Sequence, residues 1–281
     1  MQLCKMKRKF KLGYSPCPND TYIFGALALG LIPSQLDYSI TLADVDELNT
    51  LSVEQDFDVI KMSYHAFAYQ TEHYQMLPYG SALGFGVGPL LISGRKSAVD
   101  EIKKVAIPGE LTTANFLFDF AYPKLKVEKT VMIFSEIEQA ITSGRVDAGV
   151  IIHENRFTYQ ERGFYKIQDL GEYWESKSKL PIPLGGIAIK RGLNPEIKAK
   201  ISDDLRASIS LADRDFSLIE DYVKQYAQEM DVNIMKKHID LYVNQSTRGL
   251  SVQDIESINF LLKNIRNGKS VRSKGLDWLA V

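Results

Sequence analysis

Four consecutive polar residues, His153 to Arg156, interrupt an apolar run and are the first candidates for chemistry in this sequence. The preceding residues Val150, Ile151 and Ile152 are typical of a strand that is buried on both faces, as in a parallel sheet. Ligands of open α/β sheets bind beyond the carboxyl ends of such strands. Because histidine titrates near neutral pH, His153 could exchange a proton with a ligand there, or it could simply make a hydrogen bond that ends the strand.

Three other turns lead from a predicted strand into a predicted helix and carry small polar side chains. A turn of this kind leaves backbone N–H groups unpaired at the positive end of a helix dipole, an arrangement that binds carboxylates and hydroxylated ligands. The alternative is that the hydroxyls only cap their own helices. The candidate ligand-binding residues in these turns are Ser15, Asn19, Lys61, Ser63, Thr112 and Thr113.

Charged residues near these turns have alternative interpretations. Lys61 ends an apolar strand, so its side chain could extend to solvent or, in a cleft, pair with a substrate carboxylate. Glu154 and Arg156 are typical of a solvated ion pair rather than of catalytic groups. The glycine-rich passage 80–88 lacks the spacing of a phosphate-binding loop, which favours a flexible crossover or a close approach of backbone to ligand.

The composition is that of an ordinary globular protein, with 45% hydrophobic and 25% charged residues in 281. A formal net charge of -1 gives no reason to expect nucleic acid or an anionic membrane as a partner. Two cysteines, Cys4 and Cys17, cannot build a disulfide framework or a four-cysteine zinc site, which favours a reducing, cytoplasmic location. The sequence shows neither the ~20-residue apolar run of a transmembrane helix nor the apolar core of a signal peptide.

Two successive βαβαβ patterns are predicted to position the polar residues, and such patterns imply parallel strands joined by right-handed crossovers. In the first pattern, Asp20 is expected to cap the helix that follows the first strand. In the second pattern, the last strand ends at His153. The predicted strands are 9–14, 36–42 and 57–62 in the first pattern and 105–108, 129–134 and 147–152 in the second.

Two apolar strands, predicted at 90–93 and 184–190, flank the second pattern and connect the halves of the chain. Two connecting strands between two α/β lobes form a hinge, and a ligand then lies in the cleft between the lobes. The sequence thus predicts a type II periplasmic-binding-protein-like fold in which each lobe is a mixed, mainly parallel sheet flanked by helices. Residues 1–93 with 185–281 are expected to form the larger, discontinuous lobe, and residues 94–184 the smaller, inserted lobe.

Several segments are similar to one known family. They are SPCPNDTYIFGAL at 15–27, KMSYHAFA at 61–68, GFGVGPLL at 84–91, PGELTTA at 108–114 and VIIHENRFTY at 150–159. Together with LGGIAIKR and YVNQST further on, they make the chain resemble the 1,4-dihydroxy-6-naphthoate synthases of the futalosine route to menaquinone. The resemblance runs from about Phe10 to at least Ser246 and leaves the stretch from Asn267 to Val281 unmatched.

The resemblance implies a lyase that converts cyclic dehypoxanthinyl futalosine to 1,4-dihydroxy-6-naphthoate and releases a three-carbon fragment, without metal or organic cofactor. It makes His153, the histidine of the IIHE motif, the proton acceptor. Cleavage of a carbon–carbon bond needs such a base, together with donors for the developing oxyanion. The substrate contacts that the resemblance implies are Lys61, Met62 through its backbone, Ser63, Thr112 and Thr113.

Two alternative functions stay open at this point. A chorismate dehydratase of the same pathway would have similar lobes, although the IIHENRFTY run favours the synthase. A solute-binding component of a transporter would bind its ligand without chemistry, and the missing signal peptide and lipoprotein cysteine argue against it. We expect a small-molecule carboxylate as the ligand, no nucleic acid and no membrane insertion; a homodimer is compatible with the sequence.

Overall fold

The computed structural model of the chain describes residues 8–227, 231–265 and 277–280, which form two β-sheets flanked by helices. Cys4 and most of the unmatched stretch 267–281 lie outside the described residues. The strands of the first sheet are β1 (Lys9–Tyr14), β2 (Asp37–Leu42), β3 (Val59–Ser63), β4 (Tyr74–Met76), β5 (Ala82–Gly84) and β11 (Ile182–Lys190). The strands of the second sheet are β6 (Leu90–Ser93), β7 (Lys104–Ile107), β8 (Glu128–Val131), β9 (Ala148–Ile151) and β10 (Tyr165–Asp169).

Each sheet is built around a parallel unit with the same strand order. In the first sheet, β1 lies between β2 and β3 and is parallel to both. In the second sheet, β7 lies between β8 and β9 and is parallel to both. An antiparallel strand is added beside each unit, β11 next to β3 and β6 next to β9. The two predicted βαβαβ units are therefore confirmed, and the antiparallel strands make both sheets mixed.

Strand β6 differs from the predicted division of the chain. The prediction assigned residues 1–93 to the larger lobe, but β6 pairs with β9 and β10 of the second sheet. All four residues of β6 are buried, and the strand lies between β9 and β10. Strand β11, by contrast, returns to the first sheet. The division into two lobes stays a prediction, and the boundary between the sheets falls before Leu90.

Helices cover both sheets, and an example is the long helix that follows Asn194. It presents Ile201, Leu205 and Ile209, spaced four residues apart, to a core that also contains Leu12 of β1. Among the described helices, none combines the length and the apolar character needed to cross a bilayer. The helices are α1 (Pro18–Ala28), α2 (Val45–Val53), α3 (Tyr64–Gln70), α4 (Thr113–Ala121), α5 (Ile137–Thr142), α6 (Asn155–Thr158), α7 (Leu170–Ser178), α8 (Pro195–Arg214), α9 (Glu220–Tyr226), α10 (Val232–Tyr242), α11 (Gln245–Arg248) and α12 (Val252–Ile265).

Strands β3 and β9 are the two central strands that end in polar residues of interest. Every residue of β3 and every residue of β9 is buried, so both strands are covered on both faces, and in β3 the buried residues include Lys61 and Ser63. The chain leaves each strand at its carboxyl end, through Ser63 in the first sheet and His153 in the second. Both ends line the same space between the two sheets.

A candidate active site in the cleft

A cleft of about 690 Å³, which includes space open to solvent, lies between the two sheets. Seven of the eight predicted site residues line it, and the exception is Met62. Neighbouring side chains of a strand point to opposite faces, so Met62 is fully buried in the core while Lys61 and Ser63 reach the cleft. The seven residues are Ser15, Asn19, Lys61, Ser63, Thr112, Thr113 and His153.

Asp20 does not cap helix α1, contrary to the prediction. The helix begins at Pro18, whose ring sets a helical φ and which has no N–H to satisfy, and Cys17 takes the cap position. Asp20 lies in the first turn with its carboxylate buried. It accepts hydrogen bonds from Lys61 Nζ at 2.7 Å and from Ser15 Oγ at 2.6 Å.

Lys61 is therefore paired inside the protein. Its side chain is only 6% exposed, so the interpretation that it extends to solvent is wrong. One of its three N–H donors goes to Asp20, and a second lies 3.5 Å from the carbonyl oxygen of Gly80. The pair carries no net charge, yet Lys61 retains donor capacity toward a ligand in the cleft.

Ser63 and Thr112 cap the helices that follow them. Ser63 Oγ accepts a hydrogen bond from Ala66 N at 3.1 Å, and Thr112 Oγ1 accepts one from Asn115 N at 3.2 Å. The alternative interpretation of these hydroxyls is thus the observed one. The cap satisfies the N–H of Asn115, whereas the N–H groups of Thr113 and Ala114 at the start of α4 have no intrahelical acceptor.

The hydroxyl hydrogens of this region point into the protein and connect the sheets. Ser63 Oγ donates to Leu111 O, in the turn between β7 and α4, at 2.5 Å. Thr113 Oγ1 donates to Leu184 O of β11 at 2.7 Å. The donors that remain for a ligand are therefore the backbone N–H groups of the first turn of α4 rather than the threonine hydroxyls.

His153 occupies the left-handed region of backbone conformation, with φ of 56°. For a residue with a Cβ this costs ~1–2 kcal/mol, and strain of this kind is concentrated at functional sites. The half-buried ring lies 4.5 Å, centroid to centroid, from the ring of Phe134 and 6.0 Å from that of His238. The cleft thus contains two imidazoles whose planes differ by 12°.

The thiol of Cys17 lies next to His153 at the cleft. Its Sγ lies 3.5 Å from Nδ1 of His153 and 3.9 Å from Nε2. Burial, together with the negative charges of Glu154 and Asp20, raises the pKa of the Cys17 thiol well above its usual value. The sulfur therefore stays protonated at neutral pH and is a weak nucleophile.

Glu154 and Arg156 do not form the solvated pair expected from the sequence. Glu154 is only 6% exposed and its Oε1 lies 3.5 Å from Nδ1 of His238. Arg156 instead donates from Nη1 to the carbonyl oxygen of Gly88 at 2.7 Å. The turn after β9 directs these two side chains inward, where Arg156 satisfies a backbone oxygen of the glycine-rich passage.

His238 is the site residue that sequence reasoning missed. It is fully buried on α10, lines the cleft, and has Nε2 2.9 Å from Asn19 Oδ1. Burial, with His153 and Lys61 nearby, holds the pKa of His238 well below its usual value. A signal was present, since His238 shares the apolar stripe of α10 with Met235, Ile239 and Tyr242.

The side chains of the described residues give little support for a metal-binding site. Within residues 8–227, 231–265 and 277–280, no group of three or more His, Cys, Asp or Glu residues is arranged to hold a metal ion. Independence from metal and organic cofactors stays a prediction.

Comparison with known proteins places the chain in a family. The family model described as menaquinone biosynthesis matches residues 10–267. The chain belongs to this menaquinone biosynthesis family. The match covers both sheets and the whole cleft, from β1 through α10.

Two curated relatives in this family carry the same name. The chain is 40% identical over 274 residues to the 1,4-dihydroxy-6-naphthoate synthase of Streptomyces coelicolor, covering 96% of this chain and 97% of the relative. It is 38% identical over 235 residues to the enzyme of the same name from Thermus thermophilus, covering 83% and 85%.

Solved structures confirm the predicted fold of this family member. A crystal structure of an Archaeoglobus fulgidus protein, 30% identical, superposes with a TM-score of 0.87 over 93% of this chain and 97% of that one. A Candida albicans protein with the periplasmic binding protein fold gives 0.69 at 13% identity over 96% and 93%. The alkanesulfonate-binding protein of Xanthomonas axonopodis pv. citri, solved with bound MOPS, gives 0.67 at 14% identity over 96% and 97%.

Proposed function

We propose that this chain is a 1,4-dihydroxy-6-naphthoate synthase, a cytoplasmic lyase that cleaves cyclic dehypoxanthinyl futalosine without metal or organic cofactor. The observation that carries the proposal is the convergence of His153, the first turn of α4 and Lys61 on one cleft. The names of the relatives from Streptomyces coelicolor and Thermus thermophilus support the same activity.

His153 is the base in this proposal. It removes a proton from a substrate hydroxyl; the oxygen then forms a carbonyl group and the adjacent carbon–carbon bond breaks. The electrons of that bond move to a neighbouring carbonyl, whose oxygen develops negative charge. Backbone N–H groups in the first turn of α4 meet this charge or hold the substrate carboxylate, because they lack an intrahelical acceptor.

The cleft also contains features that hold a carboxylate substrate in place. Lys61 provides a donor beside α4, while its ion pair with Asp20 keeps the empty cleft close to neutral. Apolar residues such as Val87 and Leu184 line the remaining walls. These apolar walls suit an aromatic ring of the substrate. Because they exclude water, they strengthen the polar contacts inside the cleft.

A turnover assay tests this function directly. Purified protein is incubated with cyclic dehypoxanthinyl futalosine in one arm and with chorismate in the other, and products are separated by chromatography. Formation of 1,4-dihydroxy-6-naphthoate in the first arm alone is the expected result. Conversion of chorismate would support the dehydratase alternative, and tight binding of the futalosine compound without turnover would support a solute-binding protein.

Replacement of His153 by asparagine tests the base. General bases contribute ~10²–10⁴ in rate, so we expect H153N to lower kcat by that order. Substrate binding should change much less, because a base acts mainly in the transition state. Steady-state kinetics and calorimetric titration measure the two effects. A folded H153N protein with near wild-type kcat would show that the base lies elsewhere.

A further inference from the structure

His238 has a hydrogen-bonding pattern that the proposed mechanism does not use. Its ring is fully buried, packs at 4.6 Å against Tyr242, and lines the cleft beside His153. Nε2 lies 2.9 Å from Asn19 Oδ1. Nδ1 is buried and makes no hydrogen bond.

The orientation of Asn19 identifies which nitrogen carries the hydrogen. Asn19 Nδ2 donates to Asp20 Oδ1 at 2.8 Å, so the other amide atom facing His238 is the acceptor Oδ1. Nε2 of His238 must therefore be the donor. A neutral imidazole has one N–H, which leaves Nδ1 with an unshared lone pair.

The nearest acidic atom to that lone pair is Oε1 of Glu154, 3.5 Å from Nδ1. Glu154 is buried as well, so two acceptors face each other away from water. An acceptor facing an acceptor is unfavourable, whereas one proton between them turns the contact into a charge-assisted hydrogen bond.

We propose that His238 and Glu154 share one proton and that this contact positions the loop carrying His153. The two partners come from different sides of the cleft. Helix α10 packs against α1 and β5 of the first sheet, while Glu154 directly follows His153 at the end of β9 in the second. Both are positioning residues, and their effect on turnover rests on the proposed role of His153.

Other groups around His238 do not replace Glu154 as its partner. Lys61 is held by Asp20, and Arg156 is held by Gly88 O. Burial lowers the pKa of His238, so its ring does not hold a second proton by itself. A proton at Nδ1 must therefore be shared with the carboxyl group of Glu154. The titratable or charged groups that face His238 are Glu154, His153, Lys61 and Tyr242. Behind them, Cys17 contacts His153, Asp20 contacts Lys61 and Arg156 contacts Tyr242.

Two variants of Glu154 with side chains of similar size distinguish the effect of a hydrogen-bond donor from the effect of side-chain volume. The amide N–H of Glu154→Gln can donate permanently to Nδ1, whereas Glu154→Met fills the same space without a donor. We expect E154M to lower kcat/KM about 10- to 100-fold and E154Q to recover most of that loss. Glu161→Gln, an exposed glutamate in the same loop, is the matched control and should behave as wild type.

A second measurement does not depend on turnover. Nitrogen-15 NMR of the histidine side chains should show His238 as the Nε2–H form with a hydrogen-bonded Nδ1 in wild type and E154Q. In E154M the Nδ1 resonance should move to that of an unbonded acceptor. If wild type turns over neither candidate substrate, the proposed function fails while this spectrum still reports on the pair.

Two results would overturn the positioning role. An unchanged His238 Nδ1 resonance in E154M would show that Glu154 does not share a proton with it. Equal loss of kcat/KM in E154Q and E154M, with the contact intact in E154Q, would mean that Glu154 is itself a catalytic group.

Discussion

Lys61 and Asp20 form a buried ion pair at the cleft, with side chains 6% and 2% exposed. Removing two charges from water is costly, and the pair persists because additional hydrogen bonds satisfy it. Asp20 also accepts from Ser15 Oγ and Asn19 Nδ2. The carboxylate thus orders the turn before α1 and, through Asn19, the His238 ring.

Replacing Lys61 by methionine should strongly destabilise the fold. It leaves the Asp20 carboxylate buried without its cation, and breaking such a pair costs ~3–5 kcal/mol. Lys11→Met breaks an exposed pair with Asp56 and should cost at most ~1 kcal/mol. Urea unfolding measures both, and similar losses in the two variants would contradict the assigned role of the buried pair.

The turn between β7 and α4 brings the two sheets together at Gly109. Its φ is +143°, and a Cβ built there would overlap the side chain of Asp46 in the first turn of α2, whose own Cβ would lie 2.8 Å away. Burial near Asp44 and Glu110 raises the pKa of Asp46, which reflects how closely the elements approach. Glycine fits here because an added side chain would force Asp46, or the start of α2 that carries it, away from the turn that precedes Thr112.

Gly109→Ala should therefore destabilise the protein more than a positive φ alone explains. Gly163→Ala is the control, because its φ is +86° and no atom lies within 4 Å of the added Cβ. We expect G163A to cost ~1–2 kcal/mol and G109A to add ~1–3 kcal/mol of overpacking. Thermal unfolding of both variants checks this, and equal shifts in Tm would show that α2 can move aside freely.

Across the whole molecule, a small set of hydrogen bonds joins the two sheets. His65 Nδ1 lies 3.0 Å from Thr112 O, and the ring donates there as a neutral imidazole. Ser63 and Thr113 supply the neighbouring contacts to Leu111 O and Leu184 O. Burial lowers the pKa of His65 below its usual 6.5, so this junction resists protonation.

This lowered pKa gives folding stability a definite dependence on pH. The folded state binds the His65 proton more weakly than the unfolded chain, so stability is complete above pH 6.5 and decreases as pH falls toward the folded pKa. His65→Gln keeps a donor but does not titrate, so its free energy of unfolding should fall less steeply below pH 6.5 than that of wild type. The exposed His73→Gln should keep the wild-type slope, and matching slopes in H65Q and wild type would contradict the role of His65.

Much of the fold is determined by local patterns in the sequence. The apolar run of β9 and the apolar residues around Lys61 in β3 predict buried central strands, each with polar residues at the carboxyl edge of its sheet. The apolar spacing of four residues in α8 likewise predicts its buried face. These features depend only on backbone periodicity and burial, and for that reason His153 and Ser63 could be assigned to a common site.

Pairing between distant side chains was decided only by the tertiary structure. The sequence at Asp20 is typical of a helix cap, yet the approach of β3 makes this carboxylate the partner of Lys61. His238 lies 85 positions beyond His153 in the chain, and only the tertiary arrangement, with α10 packed on α1 and His153 at the end of β9, brings their rings to 6.0 Å. Periodicity specifies which face of an element is buried, but a buried polar group takes its partner from whichever element packs against it, because desolvation makes any unpaired alternative costly.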